Sequence, residues 1–177
     1  MDIYQSLHKD HKKVSELLNQ LVESSQADHE NWKSLVDRIR DELIPHARAE
    51  EAVFYNAIRE MNPENGVIVE GYAEHAMAET DLRALQAMKA IDFNWTNLAK
   101  KLRKDVLHHI NEEEDRIFSA GRKIFTDEEA VMIGNAFVHL KPTVKEQSFV
   151  GTTLDLISNL LPRRLVLKLS EKTKRSA

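Results

Sequence analysis

An all-α fold, an up-down-up-down four-helix bundle followed by an extra helix and a basic tail, is predicted by three features of this 177-residue chain. Apolar residues recur at three- and four-residue steps in four long stretches. Glycine and proline are scarce, at 5 and 4 residues, the composition of a chain dominated by helix. The breaks between the stretches are short, which makes consecutive helices antiparallel neighbours.

The first stretch carries Ile3, Leu7, Val14, Leu18 and Leu21 on one face, and His11 occupies the missing step. A turn is expected over Ser24 to Asp28, after which a second helix presents Trp32, Leu35, Ile39, Leu43, His46, Glu50, Val53, Ala57 and Met61. Pro45 removes a backbone donor inside it and predicts a kink beside His46. Asn62 to Gly66 is a turn, and the third helix then offers Ile68, Gly71, His75, Ala78, Leu82 and Leu85; Gly71, one turn before His75, leaves room for something bulky. After Ile91 to Asn94 the fourth helix has the cleanest stripe, Trp95, Leu98, Leu102, Val106, His109, Glu113, Ile117, Ala120 and Ile124. Thr126 with Glu129 matches a capping box, so a fifth helix starts near residue 127, limited by Pro142. The units expected are residues 1–125 for the bundle, 126–147 for the additional helix and 148–177 for an amphipathic tail.

Bulk composition narrows the chemistry. With 42% hydrophobic and 31% charged residues the chain is a globular helical protein of one domain plus an appendage. The net charge of −4 divides into +4 on residues 148–177, six Lys or Arg against two acids, and −8 on the rest. Nucleic acid is therefore not an expected partner. The tail fits packing of its leucines on the bundle or a second subunit, or contact with an anionic membrane surface. No cysteine is present, which excludes disulfides, thiolate ligands and a cysteine nucleophile. The amino terminus lacks a signal peptide's apolar core, and no apolar run approaches the roughly 20 residues needed to span a bilayer. A cytoplasmic protein without a transmembrane segment is the expectation.

The polar residues on core stripes carry the functional information. His11, His46, His75 and His109 each take a step that should be apolar, and Glu50 and Glu113 follow two of them by four residues. Buried imidazoles and carboxylates are costly unless something satisfies them, and shared cations satisfy all six. Antiparallel helices reflect sequence position about their turns: His11 projects to about position 43, His46 to about 80 and His75 to about 109, each within roughly one helical turn of the next histidine. The six therefore share a level, and two carboxylates from different helices can bridge a pair of cations. Mixed N and O donors suit iron, with manganese or zinc also compatible. Around them, His8, His29, His108 and His139 are read as surface or structural residues, Tyr4 and Tyr72 as core, and Glu51, Glu112 and Glu114 as solvated faces.

At HARAEE and HINEEE, with the Asp10-His11 and Glu74-His75 pairs and an aromatic, Phe54 or Phe118, after each His-x3-Glu, the sequence resembles the hemerythrin-like, or HHE cation-binding, family over residues 1–125. The resemblance implies a bundle holding a non-haem di-iron centre, with His11, His46, His75 and His109 as terminal ligands and Glu50 and Glu113 as bridges. Oxygen-carrying hemerythrins have a further histidine four residues after the one matching His75, where this chain has Glu79, and end in His-x4-Asp rather than the step from His109 to Glu113. The implied role is thus binding or reduction of a small oxidant, O2, peroxide or NO, in sensing, stress protection or iron handling. Iron storage or delivery without turnover is the first alternative, and a structural interaction module the second. No side chain stands apart as an acid or base, so whether the protein is an enzyme rests on the metals.

Overall fold

The computed structural model describes residues 1–27, 32–62, 66–144 and 161–162, and shows an all-helical bundle. Four rods make it: α1 (Ile3–Ala27); α2 (Trp32–Glu50), which passes through a π turn (Glu51–Tyr55) into α3 (Asn56–Met61); α4 (Gly66–Ala87); and α5 (Phe93–Glu112), which passes through a second π turn (Glu113–Ile117) into α6 (Phe118–Ile124). The additional helix α7 (Asp127–Leu140) packs across α1, α2 and the first π turn, and a 3₁₀ turn containing Pro142 ends it. His29 and most of the basic tail lie outside the described residues.

Local chemistry sets the helix starts. Asp2 accepts from the Gln5 backbone N–H at 2.8 Å, and Asp92 does the same for Trp95. Thr126 and Glu129 form the reciprocal capping box expected from the sequence. One expectation needs correction. Ser24 to Ala27 continue α1 rather than turning, because Ser, Gln and Ala tolerate a helix and none blocks a backbone donor. α2 runs through Pro45 to Glu50, and the departure from α-helical bonding comes in the next turn.

Those π turns also move the inward face. Each wide turn fits an extra residue, so the apolar stripe steps round by one position. On the second rod Phe54, Tyr55 and Ile58 are fully buried and Met61 is only partly so. On the fourth, Phe118 and Gly121 face inward where Ala120 and Ile124 were expected to.

Two apolar clusters result, one at each end of the bundle. One gathers Leu18, Ile39, Leu82, Leu102 and an edge-to-face pair of Trp32 and Trp95, with ring centroids 5.5 Å apart. The other centres on Phe54, which meets Tyr4, Phe118 and Phe125 at 5.8 to 6.2 Å. The space that Gly71 leaves is filled by the Tyr55 ring, whose nearest carbon stands 2.7 Å from where a Cβ would lie. Gly134 of α7 lets that helix touch the backbone of Met1 to Ile3, which a Cβ would meet at 2.6 to 2.8 Å.

Backbone cannot move aside as a flexible side chain can, so Gly134→Ala is expected to destabilise the protein by about 1–3 kcal/mol in thermal denaturation. Gly66→Ala, whose Cβ would meet nothing within 4 Å, is the neutral control. Equal melting temperatures for the two variants would show that α7 is not seated on the amino terminus.

Candidate metal centre

Between the two apolar clusters lies one polar layer. His11, His46, His75 and His109 are 3 to 7% exposed, and Glu50 and Glu113 are fully buried. All six residues singled out on the stripes converge there. Their donor atoms form two groups, His11 with His46 and Glu113, and His75 with His109 and Glu50, each set within 4.8 Å of one another. Each carboxylate also reaches across: Glu50 Oε2 is 3.5 Å from Nε2 of both His46 and His75, and Glu113 Oε2 is 3.3 Å from His11 Nε2 and 3.5 Å from His109 Nε2.

All four carboxylate oxygens, and His11 Nε2, are buried without a hydrogen bond. Leaving a carboxylate so placed costs several kcal/mol, so something positive must face it. Two donors that share a cation at about 2.1 Å stand roughly 3 to 3.5 Å apart. The residues present fit a pair of cations, each held by two imidazoles and joined by the two carboxylates.

Carboxylates on the far side of each ring fix the imidazoles. Nδ1–H of His46 donates to Asp10 at 3.3 Å, of His75 to Glu51 at 2.9 Å, of His109 to Glu74 at 2.8 Å and of His11 to Glu114 at 2.8 Å. A carboxylate can only accept, so these bonds put the proton on Nδ1 and turn each Nε2 inward as a donor to metal. The pattern is a closed ring: α1 serves a histidine of α2, the α2 rod serves α4, α4 serves α5, and the α5 rod serves α1. In sequence each acid stands directly beside an inward residue, before His11 and His75 and after Glu50 and Glu113. Glu51 and Glu114 are thus not solvated faces, as the acid run implied; a neighbouring helix packs against that flank and brings a histidine to them. Glu112 does lie outside, paired with Arg116 at 2.8 Å.

The surrounding residues sort clearly. Glu79 is held by Arg48 at 2.6 Å and Arg83 at 2.8 Å and joins neither donor group. His8, exposed, bonds Glu114 at 2.9 Å; His108 and His139 are exposed. Tyr72 donates to Asn56 at 2.9 Å, and Tyr4 lies under Arg122. Tyr55, which the stripe analysis passed over, stacks on the His75 ring at 5.4 Å and 8°. Its aromatic neighbour Phe54 was noticed beside the motif; the π turn that brings both rings inward has no plain sequence signature.

Protons compete for this site. Burial raises Glu50 well above the usual carboxylate range, and the Glu113 charge beside it adds to the effect. For Glu113 burial acts the same way but is outweighed, chiefly by His11, and its carboxyl falls well below that range. Burial likewise pulls His11 and His109 down, yet Glu113 and the acids behind them win and hold both at about 9. Burial prevails at His46, which falls to about 4, and lowers His75 as well.

Comparison with known proteins agrees with this geometry. The family model for the Hemerythrin HHE cation binding domain matches residues 2–120. A DNA nickase of Nostoc sp. (strain PCC 7120 / SAG 25.82 / UTEX 2576) is 26% identical over 147 residues, which cover 83% of this chain and 41% of that protein, so the chain spans about two-fifths of its relative's length. A crystal structure of a Hemerythrin HHE cation binding domain-containing protein from Mycobacterium kansasii superposes with a TM-score of 0.69 at 20% identity, covering 95% of this chain and 99% of the other, a likeness of fold.

Two outcomes follow for metal binding. A cation taking Nε2 of His11 or His109 displaces a proton held up to about 9, so affinity for Co(II) or Fe(II) is expected to tighten about tenfold or more per pH unit between about pH 6 and 8. A pH-independent isotherm would mean those imidazoles do not ligate. Replacing an outer acid, Glu74→Gln or Glu114→Gln, is expected to weaken the metal about 10- to 100-fold while helix content by circular dichroism stays unchanged.

Proposed function

Because the chain belongs to the hemerythrin HHE cation-binding domain family, we propose that it is a non-haem di-iron protein that binds or reduces a small oxidant, O2, peroxide or NO, in a protective, sensing or iron-handling role. The observation that carries this reading is the pair of fully buried, unbonded carboxylates, Glu50 and Glu113, each within reach of an imidazole from both donor groups. Four imidazoles and two shared carboxylates would leave room on bound iron for a small exogenous ligand. Bound iron supplies the redox chemistry.

The chain's own groups do the rest. Glu50 and Glu113 would bridge; His11, His46, His75 and His109 would cap; Asp10, Glu51, Glu74 and Glu114 keep each imidazole in the donor tautomer and raise its basicity. The Tyr55 hydroxyl, raised well above its ordinary value by burial and by the Glu113 and Glu50 charges, stays protonated beside His75. Apolar clusters above and below keep water from the layer. Residues 1–125 would be the working unit, with α7 as its cover, acting in the cytoplasm; among the described residues no helix is long and apolar enough to cross a membrane. Manganese or zinc could take the same donors. DNA nicking is not carried over from the Nostoc protein, of which this chain spans 41% at 26% identity.

Elemental analysis of protein from iron-replete cells is expected to give close to two irons per chain, and about one or fewer for Glu50→Ala and Glu113→Ala. Anaerobic NO should change the visible spectrum of the wild type, and chelation should lower its melting temperature, because cations that tie four rods together couple to folding. Iron handed rapidly to an apo acceptor with no oxidant consumed would favour storage or delivery instead. A metal-free chain that melts no lower than before chelation would sink the di-iron reading.

A further inference from the structure

We propose that a neutral diatomic gas reaches the centre on one side only, at the His75–His109–Glu50 position, through an apolar cavity between α2, α4 and α5. The inference rests on the di-iron reading and assigns unequal roles to its two metal positions.

The cavity has a volume of about 180 Å³, and His75 and His109 form part of its lining while His11, His46, Glu50 and Glu113 do not. Its walls include Leu43, Ile44, Ala47, Ala78 and Val106, all buried. The surface it presents is mainly apolar, with charged groups gathered at the rim, so it suits a small neutral guest such as O2 or NO and disfavours an anion. The rim adds to that selection, since it carries three acids, Glu74, Glu79 and Asp105, and its one arginine, Arg48, is bonded to Glu79.

The other donor group has different surroundings. The His11 ring stacks on Phe118 at 6.4 Å and 19°, and His46 meets the edge of Phe137 from α7 at 5.6 Å. Aromatic rings thus stand against both imidazoles of that pair and neither borders the cavity, whereas of the other pair only His75 meets a ring, that of Tyr55, and both imidazoles line the cavity.

The placement of Glu79 would leave a position free at the cavity's end. It lies one turn after His75, where a donor could reach the same metal. Arg48 at 2.6 Å and Arg83 at 2.8 Å hold its carboxylate on the rim instead. The side chain that could have closed the coordination sphere therefore forms part of the gateway.

The test fills the cavity without touching a donor. Ala78→Phe places a ring inside it, and Met77→Trp, at a residue 52% exposed on the rim, narrows the mouth where folding is not at stake. Xenon-pressurised crystals of the wild type are expected to show xenon against Ala78 and Val106, and those of Ala78→Phe to show none. With iron per chain unchanged, stopped-flow reaction with anaerobic NO and, separately, with O2 should slow about tenfold or more in both variants. The gas that is slowed is the one the cavity serves. Unchanged rates for both gases in variants that keep their iron would overturn the one-sided route and leave the di-iron reading standing, as would xenon seated only beside Phe118 or Phe137. A wild type without iron would overturn both.

Discussion

Two carboxylates with no exposure to water, Glu50 and Glu113, are the constraint around which this bundle is arranged. An isolated buried carboxylate is among the most costly groups a core can contain, and two beside each other repel. The fold answers with four imidazoles at the same level and four further acids behind them. Layers of this kind do not persist for stability alone; apolar residues of similar volume would pack at least as well. They persist where a cation or a reaction needs the donors.

The outer ring of acids ties the rods into one unit. Asp10, Glu51, Glu74 and Glu114 each sit on one rod and fix a histidine on the next, so no rod can rotate or slide without breaking the bond it gives and the one it receives. The ring reaches α7 as well: Lys141, next to the end of that helix, bonds Asp10 at 2.6 Å and Glu42 at 3.1 Å. Asp10 is driven down to about 2 as a result; burial alone would raise it, but His46 and Lys141 prevail. The cover over the bundle and the orientation of His46 are therefore coupled through one carboxylate.

The π turns give the layer its floor. Both start one residue after, or at, a buried glutamate, and both deliver aromatic rings under it: Phe54 and Tyr55 from one, Phe118 from the other. A regular α-helix would have turned Met61, Ala120 and Ile124 inward instead. The glycines opposite, Gly71 and Gly121, make space for those rings, Tyr55 in the first case and Phe54 in the second. Ring packing, glycine placement and the widened turns are one device spread over three rods.

Much of this was legible in the chain. Apolar periodicity fixes four rods, short breaks fix their antiparallel order, and histidines on apolar steps can only point inward, so His11, His46, His75, His109, Glu50 and Glu113 had to meet. Thr126 and Glu129 announced α7 because a capping box is local chemistry. Partnerships between rods are different. Whether Glu51 and Glu114 face water or a histidine depends on how closely the next helix packs on that flank, which no periodicity within one helix encodes; the same acid run leaves Glu112 outside. The cavity beside His75 and the turning away of Glu79 towards Arg48 arise from three helices at once. Sequence determined which residues belong to the polar layer, since burial follows from helical phase; tertiary packing alone decided what each meets there and which side lies open, since those depend on distances between rods.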